Sequence, residues 1–129
     1  MISVLCGIIQ NQEGQIFIAR RKPGKSMAGK WEFPGGKLEE NETEQDCLQR
    51  ELLEELGMRV RVGEKLGENE HQYTNFSIRL IAYHCELISA TYELTDHDSY
   101  EWVAPDRLSE FDLAAADLPF VDVIRSKNA

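Results

Sequence analysis

Between Thr43 and Gly57, leucines recur at every fourth position (Leu48, Leu52 and Leu56), and this run leaves the chain fewer structural alternatives than any other stretch. A period near 3.6, carried by good helix formers, predicts a helix over Thr43 to Leu56. Thr43 suits the N-cap, with Asp46 three residues on as a weaker form of the capping-box acid. Gly57 stands where a left-handed C-terminal cap belongs. At about 100° per residue, Glu51, Glu54 and Glu55 share an arc that Glu44 enters from two turns earlier, beside the leucine stripe. The helix therefore buries one side and lines the edge of the other with carboxylates.

The remaining pattern is mostly β. Ile2 to Ile9 is a short apolar run ending at Asn11-Gln12-Glu13-Gly14, and Gln15 to Arg20 follows; together they read as a hairpin buried on both faces. Lys22 to Lys30, with Pro23, Gly24 and Gly29, reads as a loop. Trp31-Glu32-Phe33 is a short extended piece stopped by Pro34-Gly35-Gly36. Beyond the helix, Val60 and Val62 alternate toward Leu66, Phe76 to Leu87 is a long β-rich stretch, and Tyr100 to Val103 is a last short strand. Leu118 to Arg125 has helical spacing, with Pro119 in its first turn. No repeat or linker interrupts the chain, so one α+β domain spanning residues 1–129 is expected, an α/β/α sandwich with helices covering a mixed sheet.

Charge narrows the partners. Fourteen Lys and Arg face 23 Asp and Glu, a net charge of −9, which argues against a stable nucleic-acid partner or an anionic membrane surface. A phosphate-bearing ligand would need the help of a bound cation. Cys6, Cys47 and Cys85, odd in number and in apolar surroundings, form no disulfide framework and suit a reducing, cytoplasmic setting. No basic leader or apolar span is present in the N-terminal run.

Crowded carboxylates raise one another's pKa unless a cation intervenes, and hard oxygen donors suit Mg²⁺ or Mn²⁺. A solvated acidic face would explain the glutamates alone. It would not explain their conjunction with Pro34-Gly35-Gly36-Lys37, where glycines permit close backbone approach and a carbonyl can complete an oxygen shell. Lys37 can meet a phosphate as a point charge, and Arg21 is either a second phosphate contact or an ordinary salt-bridged surface residue.

Gly36, five residues, Glu42, seven residues, then Arg50-Glu51-Leu52-Leu53-Glu54-Glu55-Leu56-Gly57-Met58 resembles the Nudix box, with Met58 a mild departure at the last position. Gly7-Ile8-Ile9, Phe17 to Arg21, Lys30 to Lys37, Glu101-Trp102 and Ala116-Asp117-Leu118-Pro119 extend the similarity to the MutT-like branch. The resemblance implies a mixed sheet between helices and Mg²⁺-dependent cleavage of a nucleoside triphosphate to monophosphate and pyrophosphate. Glu54 and Glu55 would be metal ligands and Glu51 a ligand or water-activating base. The Gly35 carbonyl would complete the site, with Glu101 a further ligand or alternative base on a separate strand. Gly36, Glu42, Arg50 and Gly57 would be structural, Glu42 and Arg50 bracing loop against helix.

The base preference is open at this level. Asp117 takes the place of the Asn that reads oxidised guanine in MutT-like relatives, and an ionised Asp offers acceptors only. It suits an 8-oxo-dGTP-type substrate through the N7-H, or a (deoxy)CTP or 5-methyl-dCTP substrate through the exocyclic amine; it can equally be the N-cap of the last helix. Phe33, Tyr73 and Phe76 can stack on a base or fill the core. His71, His84 and His97 lack metal-ligand spacing. A non-catalytic nucleotide-sensing module is the reading from another class, opposed by the intact acid set. A monomer is expected, with a dimer open.

Overall fold

The computed structural model describes residues 1–127. In chain order these form strands β1 (Ile2–Gln10), β2 (Ile16–Arg21), β3 (Trp31–Glu32) and β4 (Gly35–Lys37), helix α1 (Glu44–Leu56), and strands β5 (Met58–Gln72), β6 (Ser77–Ala90) and β7 (His97–Val103). A 3₁₀ turn over Pro105–Glu110 and helix α2 (Pro119–Lys127) follow. The strands make one mixed sheet in the order β3-β2-β1-β6-β5, with β4 also on β1 and β7 on β2.

The α1 signals are met at both ends. Thr43 Oγ1 accepts the Asp46 N–H at 3.0 Å, and Gly57 has φ 58°, its N–H reaching the Leu53 carbonyl. Leu48, Leu52 and Leu56 are fully buried against Leu5, Ile9, Phe17, Ile81 and Cys85. Burial of each leucine contributes about 1.5–3 kcal/mol relative to exposure. The alternate residues of the same strands, Cys6, Ile8, Ile16, Ile18, Leu80 and Ala82, face Phe120, Val121 and Ile124 of α2. The sheet is thus an α+β sandwich layer with a core on each side, because successive side chains of a strand point to opposite faces.

The first hairpin forms only at its tip. Asn11 Oδ1 accepts the N–H groups of Glu13 and Gln15, closing the turn, and Gln10 pairs with Ile16. Past that pair β1 runs parallel to β6, from Ile2 opposite Ile78 to Gln10 opposite Glu86. Segment 31–37 crosses the gap the two strands leave, with Glu32 and Trp31 pairing to Ala19 and Arg20 of β2, then Gly35, Gly36 and Lys37 to Cys6, Leu5 and Val4 of β1. The turn signal was local and correct, but the long pairing that buries β1 on both faces lies far away in sequence. This splay opens the sheet where the site lies.

Other boundaries moved for similar reasons. β7 starts at His97 rather than Tyr100, since its pairing with β2 continues through Ser99 and His97. α2 begins at Pro119, one residue after the sequence boundary.

Candidate active site

The gap between β1 and β2 is the mouth of a cavity of about 470 Å³. Its lining joins two chemically distinct ends. At one end are Gly35, Gly36, Lys37, Glu51, Glu55 and Asp96; at the other, Phe33, Tyr73, Phe76, Ala116 and Asp117, with Arg21 and Glu32 also on the wall. A larger open groove of about 880 Å³, beside Pro105 and Arg125, contains none of the motif residues.

At the acid end the glycines permit contact that no side chain would. A Cβ on Gly35 would lie 1.9 Å from the Leu5 carbonyl oxygen, and one on Gly36 would lie 2.3 Å from Glu51 Oε2. Glu51 therefore rests directly on the Gly36 backbone. Its Oε1 accepts from Arg50 Nη1 at 2.7 Å. Arg50 also grips Glu42 in a bidentate pair, Nε to Oε2 at 3.1 Å and Nη2 to Oε1 at 2.8 Å, so the helix is braced to the loop that precedes it. Burial raises the Glu51 carboxyl above its ordinary value despite the opposing Arg50 bond. Glu44, in the same helical arc, is held instead by the Tyr83 hydroxyl at 2.7 Å.

Glu55 is the most perturbed acid of the group. Burial first, then a hydrogen bond with Asp96 and the charges of Glu51 and Glu32, push its pKa up to about 9. Its Oε2 is buried with no donor in reach. Asp96 is brought there by the segment that covers the end of α1. The Thr91 and Glu93 N–H groups donate to the Gly57 and Leu56 carbonyls, and the Thr95 hydroxyl donates to the Glu55 carbonyl at 3.2 Å. The orphan carbonyls of the helix end thereby fix the course of the backbone that leads into Asp96.

Among the described residues no three acidic, histidine or cysteine side chains are already closed into a ligand set. The donor chemistry fits a hard divalent cation all the same. An unpartnered buried carboxylate oxygen, two neighbouring carboxyls and a tight glycine backbone supply oxygens only, and Mg²⁺ commonly takes one or two carboxylates while keeping waters.

At the far end Asp117 is 6% exposed and its Oδ2 accepts the Phe33 N–H at 2.8 Å. The carboxyl thus reaches across to the residue that follows β3, a contact a pure helix cap would not make. Burial, with the Glu32 charge second, raises its pKa well above the ordinary value, which favours the form that can donate as well as accept. Its segment is stitched down: Ala114 N–H reaches the Trp31 carbonyl, Ala116 N–H the Tyr73 hydroxyl, and Asn69 Nδ2 the Ala116 carbonyl. Phe33 is buried in the core, whereas Phe76 is 43% exposed at the cavity mouth, tilted against Tyr73 with centroids 5.2 Å apart.

Of the residues expected from sequence, the cavity gathers Arg21, Phe33, Gly35, Gly36, Lys37, Glu51, Glu55 and Asp117. Glu54 stands outside it, its side chain 61% exposed and 3.4 Å from Arg50 Nη1. Glu101 is exposed on β7 opposite Ile18 and is absent from the lining, where Asp96 is the acid contributed by that part of the chain. Arg21 bonds the Ser26 carbonyl and lies 3.7 Å from Glu32, whose Oε2 also meets the buried His97 Nε2 at 2.7 Å. Asp96 carries no signal in the sequence beyond its charge, and Glu32 none beyond its place in the Lys30 to Lys37 run; His97, without metal-ligand spacing, serves as a buttress.

Residues 5–123 match the NUDIX domain family. The chain is 34% identical over 129 residues to the CTP pyrophosphohydrolase of Escherichia coli (strain K12), covering all of this chain and 95% of that protein. It is 40% identical over 79 residues to the 8-oxo-dGTP diphosphatase of Proteus vulgaris, covering 61% of this chain and 70% of that one. The crystal structure of the MutT protein from Methanosarcina mazei Go1 superimposes with a TM-score of 0.88 at 27% identity, over 98% of this chain and 94% of that one. The glycine loop, the braced acid helix and the matched fold agree, and the chain belongs to the NUDIX domain family.

Proposed function

We propose that the protein is a Mg²⁺-dependent nucleoside triphosphate pyrophosphohydrolase, with Mn²⁺ able to substitute. It would cleave an 8-oxo-dGTP-type nucleotide to monophosphate and pyrophosphate in the service of nucleotide-pool sanitation. The observation that carries this reading is the single cavity linking an acidic, glycine-lined end to the buried Asp117. One nucleotide can lay its phosphates at the first and its base at the second.

Lys37 and Arg21 would bind the phosphate chain. Glu55, Asp96 and the Gly35 carbonyl would hold the cation, with Glu54 joining by leaving Arg50 and Glu51 either a further ligand or the base. A cation held there would supply charge neutralisation on the phosphates and a more acidic water. As the base, Glu51, seated on Gly36 and with its carboxyl raised above the ordinary value by burial, would take the proton as the water oxygen bonds to phosphorus and the bridging bond breaks. At the base end Asp117 in its protonated form would both donate and accept, as the Asn of MutT-like relatives does, and so would match the adjacent O6 and N7-H of 8-oxoguanine.

A second reading, a (d)CTP or 5-methyl-dCTP pyrophosphohydrolase, is favoured by the full-length similarity to a protein named CTP pyrophosphohydrolase. Cytosine offers its N3 and amine to the same group. Pyrophosphate release from a nucleotide panel with Mg²⁺ separates them: the first reading expects 8-oxo-dGTP to have the highest kcat/KM, and a strong preference for dCTP or CTP would replace it with the second. Tight binding of a nucleotide without any phosphate or pyrophosphate release would instead indicate a sensing module.

A further inference from the structure

Beside the cavity, paired with one of its lining acids, stands a cation that the functional reading does not use. Lys25, on the loop between β2 and β3, places its Nζ 3.1 Å from Asp96 Oδ1. The same loop is tied to the same residue through its backbone, since the Lys22 N–H donates to the Asp96 carbonyl at 3.1 Å. Ser26 and Met27, the two residues after Lys25, line the cavity, and Met27 adopts φ 58°, a left-handed conformation uncommon for a side-chain-bearing residue. Asp96 in turn is held at the end of α1, where the Thr95 hydroxyl bonds the Glu55 carbonyl. One ammonium group thus balances a carboxylate that faces the oxygen donors of the acid end.

We propose that Lys25 is a positioning residue that keeps Asp96 at the acid end in the absence of a divalent cation, is displaced from that carboxylate when the cation binds, and is thereby made available to the phosphates of the nucleotide. The inference rests on the metal-dependent reading above. Two positive charges cannot both take the best position on one carboxylate, so lysine and metal compete, whereas lysine and a polyphosphate attract. The pair is partly exposed, which limits the coupling to a small factor.

Lys25→Met keeps most of the apolar stem and removes the ammonium. In the full-length protein without nucleotide, titration with Mn²⁺ followed by the electron paramagnetic resonance of the free ion should show binding tightened about two- to fivefold, the scale of a partly exposed ion pair. With nucleotide and saturating Mg²⁺ the variant should show a raised KM, restored toward the parent value by Lys25→Arg. A purely structural role for Lys25 would loosen the loop and would not tighten the metal. Unchanged or weakened Mn²⁺ binding in Lys25→Met, with the parent binding Mn²⁺ and releasing pyrophosphate normally, overturns the role of Lys25 alone. A parent protein that neither binds Mn²⁺ nor turns over any nucleotide overturns this inference together with the reading it rests on.

Discussion

Asp117 is held in an environment that disfavours its charge, and two measurable consequences follow from that one side chain. Its folded-state pKa lies above the ordinary 3.8 because of burial first and Glu32 second. The folded state therefore binds the proton more tightly than the unfolded state, and stability is lost as pH rises from the ordinary value through the raised one. Asp117→Asn retains an acceptor for the Phe33 N–H and removes the buried acid. Thermal denaturation at pH 7.5 should show it more stable by about 1–3 kcal/mol, on the scale of a buried polar mismatch. The gain should vanish below the ordinary carboxylate range, and a variant less stable than the parent at both extremes would contradict the burial argument. At the other end, Asp96→Asn should lower turnover at least about a hundredfold, in the range for loss of a positioned charge. Glu54→Gln should do the same if it leaves Arg50 for the cation, with the fold intact by circular dichroism. Glu101→Gln should stay within about threefold of the parent; a hundredfold loss there would return the role to Glu101. Asp117 was legible as either cap or base reader because both uses need an acid just before Pro119. Asp96 was not legible, since what places it is the docking of Thr91 to Thr95 on the end of a helix some 40 residues earlier, a contact with no local pattern.

Helix α1 ties the elements of the site together, and its two ends show how much of an element is written locally. Thr43 and Gly57 act within one turn of their own positions, so both boundaries could be read from the residues. The β1–β2 hairpin misled because its turn residues are equally local, while the fate of β1 depends on β6 and on the two short strands of segment 31–37. The Glu42–Arg50 brace lies between these cases, eight residues apart and visible through its spacing. It also makes stability pH-dependent. The Arg50 guanidinium first, then the Glu39 N–H, hold the Glu42 carboxyl down to about 2 against an ordinary 4.5. A depressed folded-state pKa adds stability above the unfolded value and loses it as pH falls from about 4.5 toward 2. Denaturant unfolding between those limits should show an acid slope that is shallower in Glu42→Gln, which is less stable than the parent at pH 7. Equal slopes would mean that the brace is too solvated to matter.

On the scale of the whole molecule, the acidic excess and the exposed sheet edge pose one question, whether copies of the chain associate. β5 is a terminal strand of 15 residues, long enough to template pairing with a second chain. Its pairing with β6 shifts register after Arg59, Val62 and Lys65, and each irregularity bends the edge away from the straight ladder another strand would need. Arg59, Arg61, Glu64, Lys65, Glu68 and Glu70 are exposed along it, so a partner strand would have to desolvate charges of both signs. A net charge of −9 adds general repulsion between copies. The edge is therefore expected to stay unpaired. Sedimentation velocity at micromolar concentration should give a single species of monomer mass, insensitive to Mg²⁺. Replacing Glu64, Glu68 and Glu70 together by threonine, neutral and favoured in strands, also takes the net charge from −9 to −6 and should bring on concentration-dependent association. A parent protein that already sediments as a dimer, and a triple variant that sediments like it, would mean that some other face, rather than this guarded edge, governs assembly.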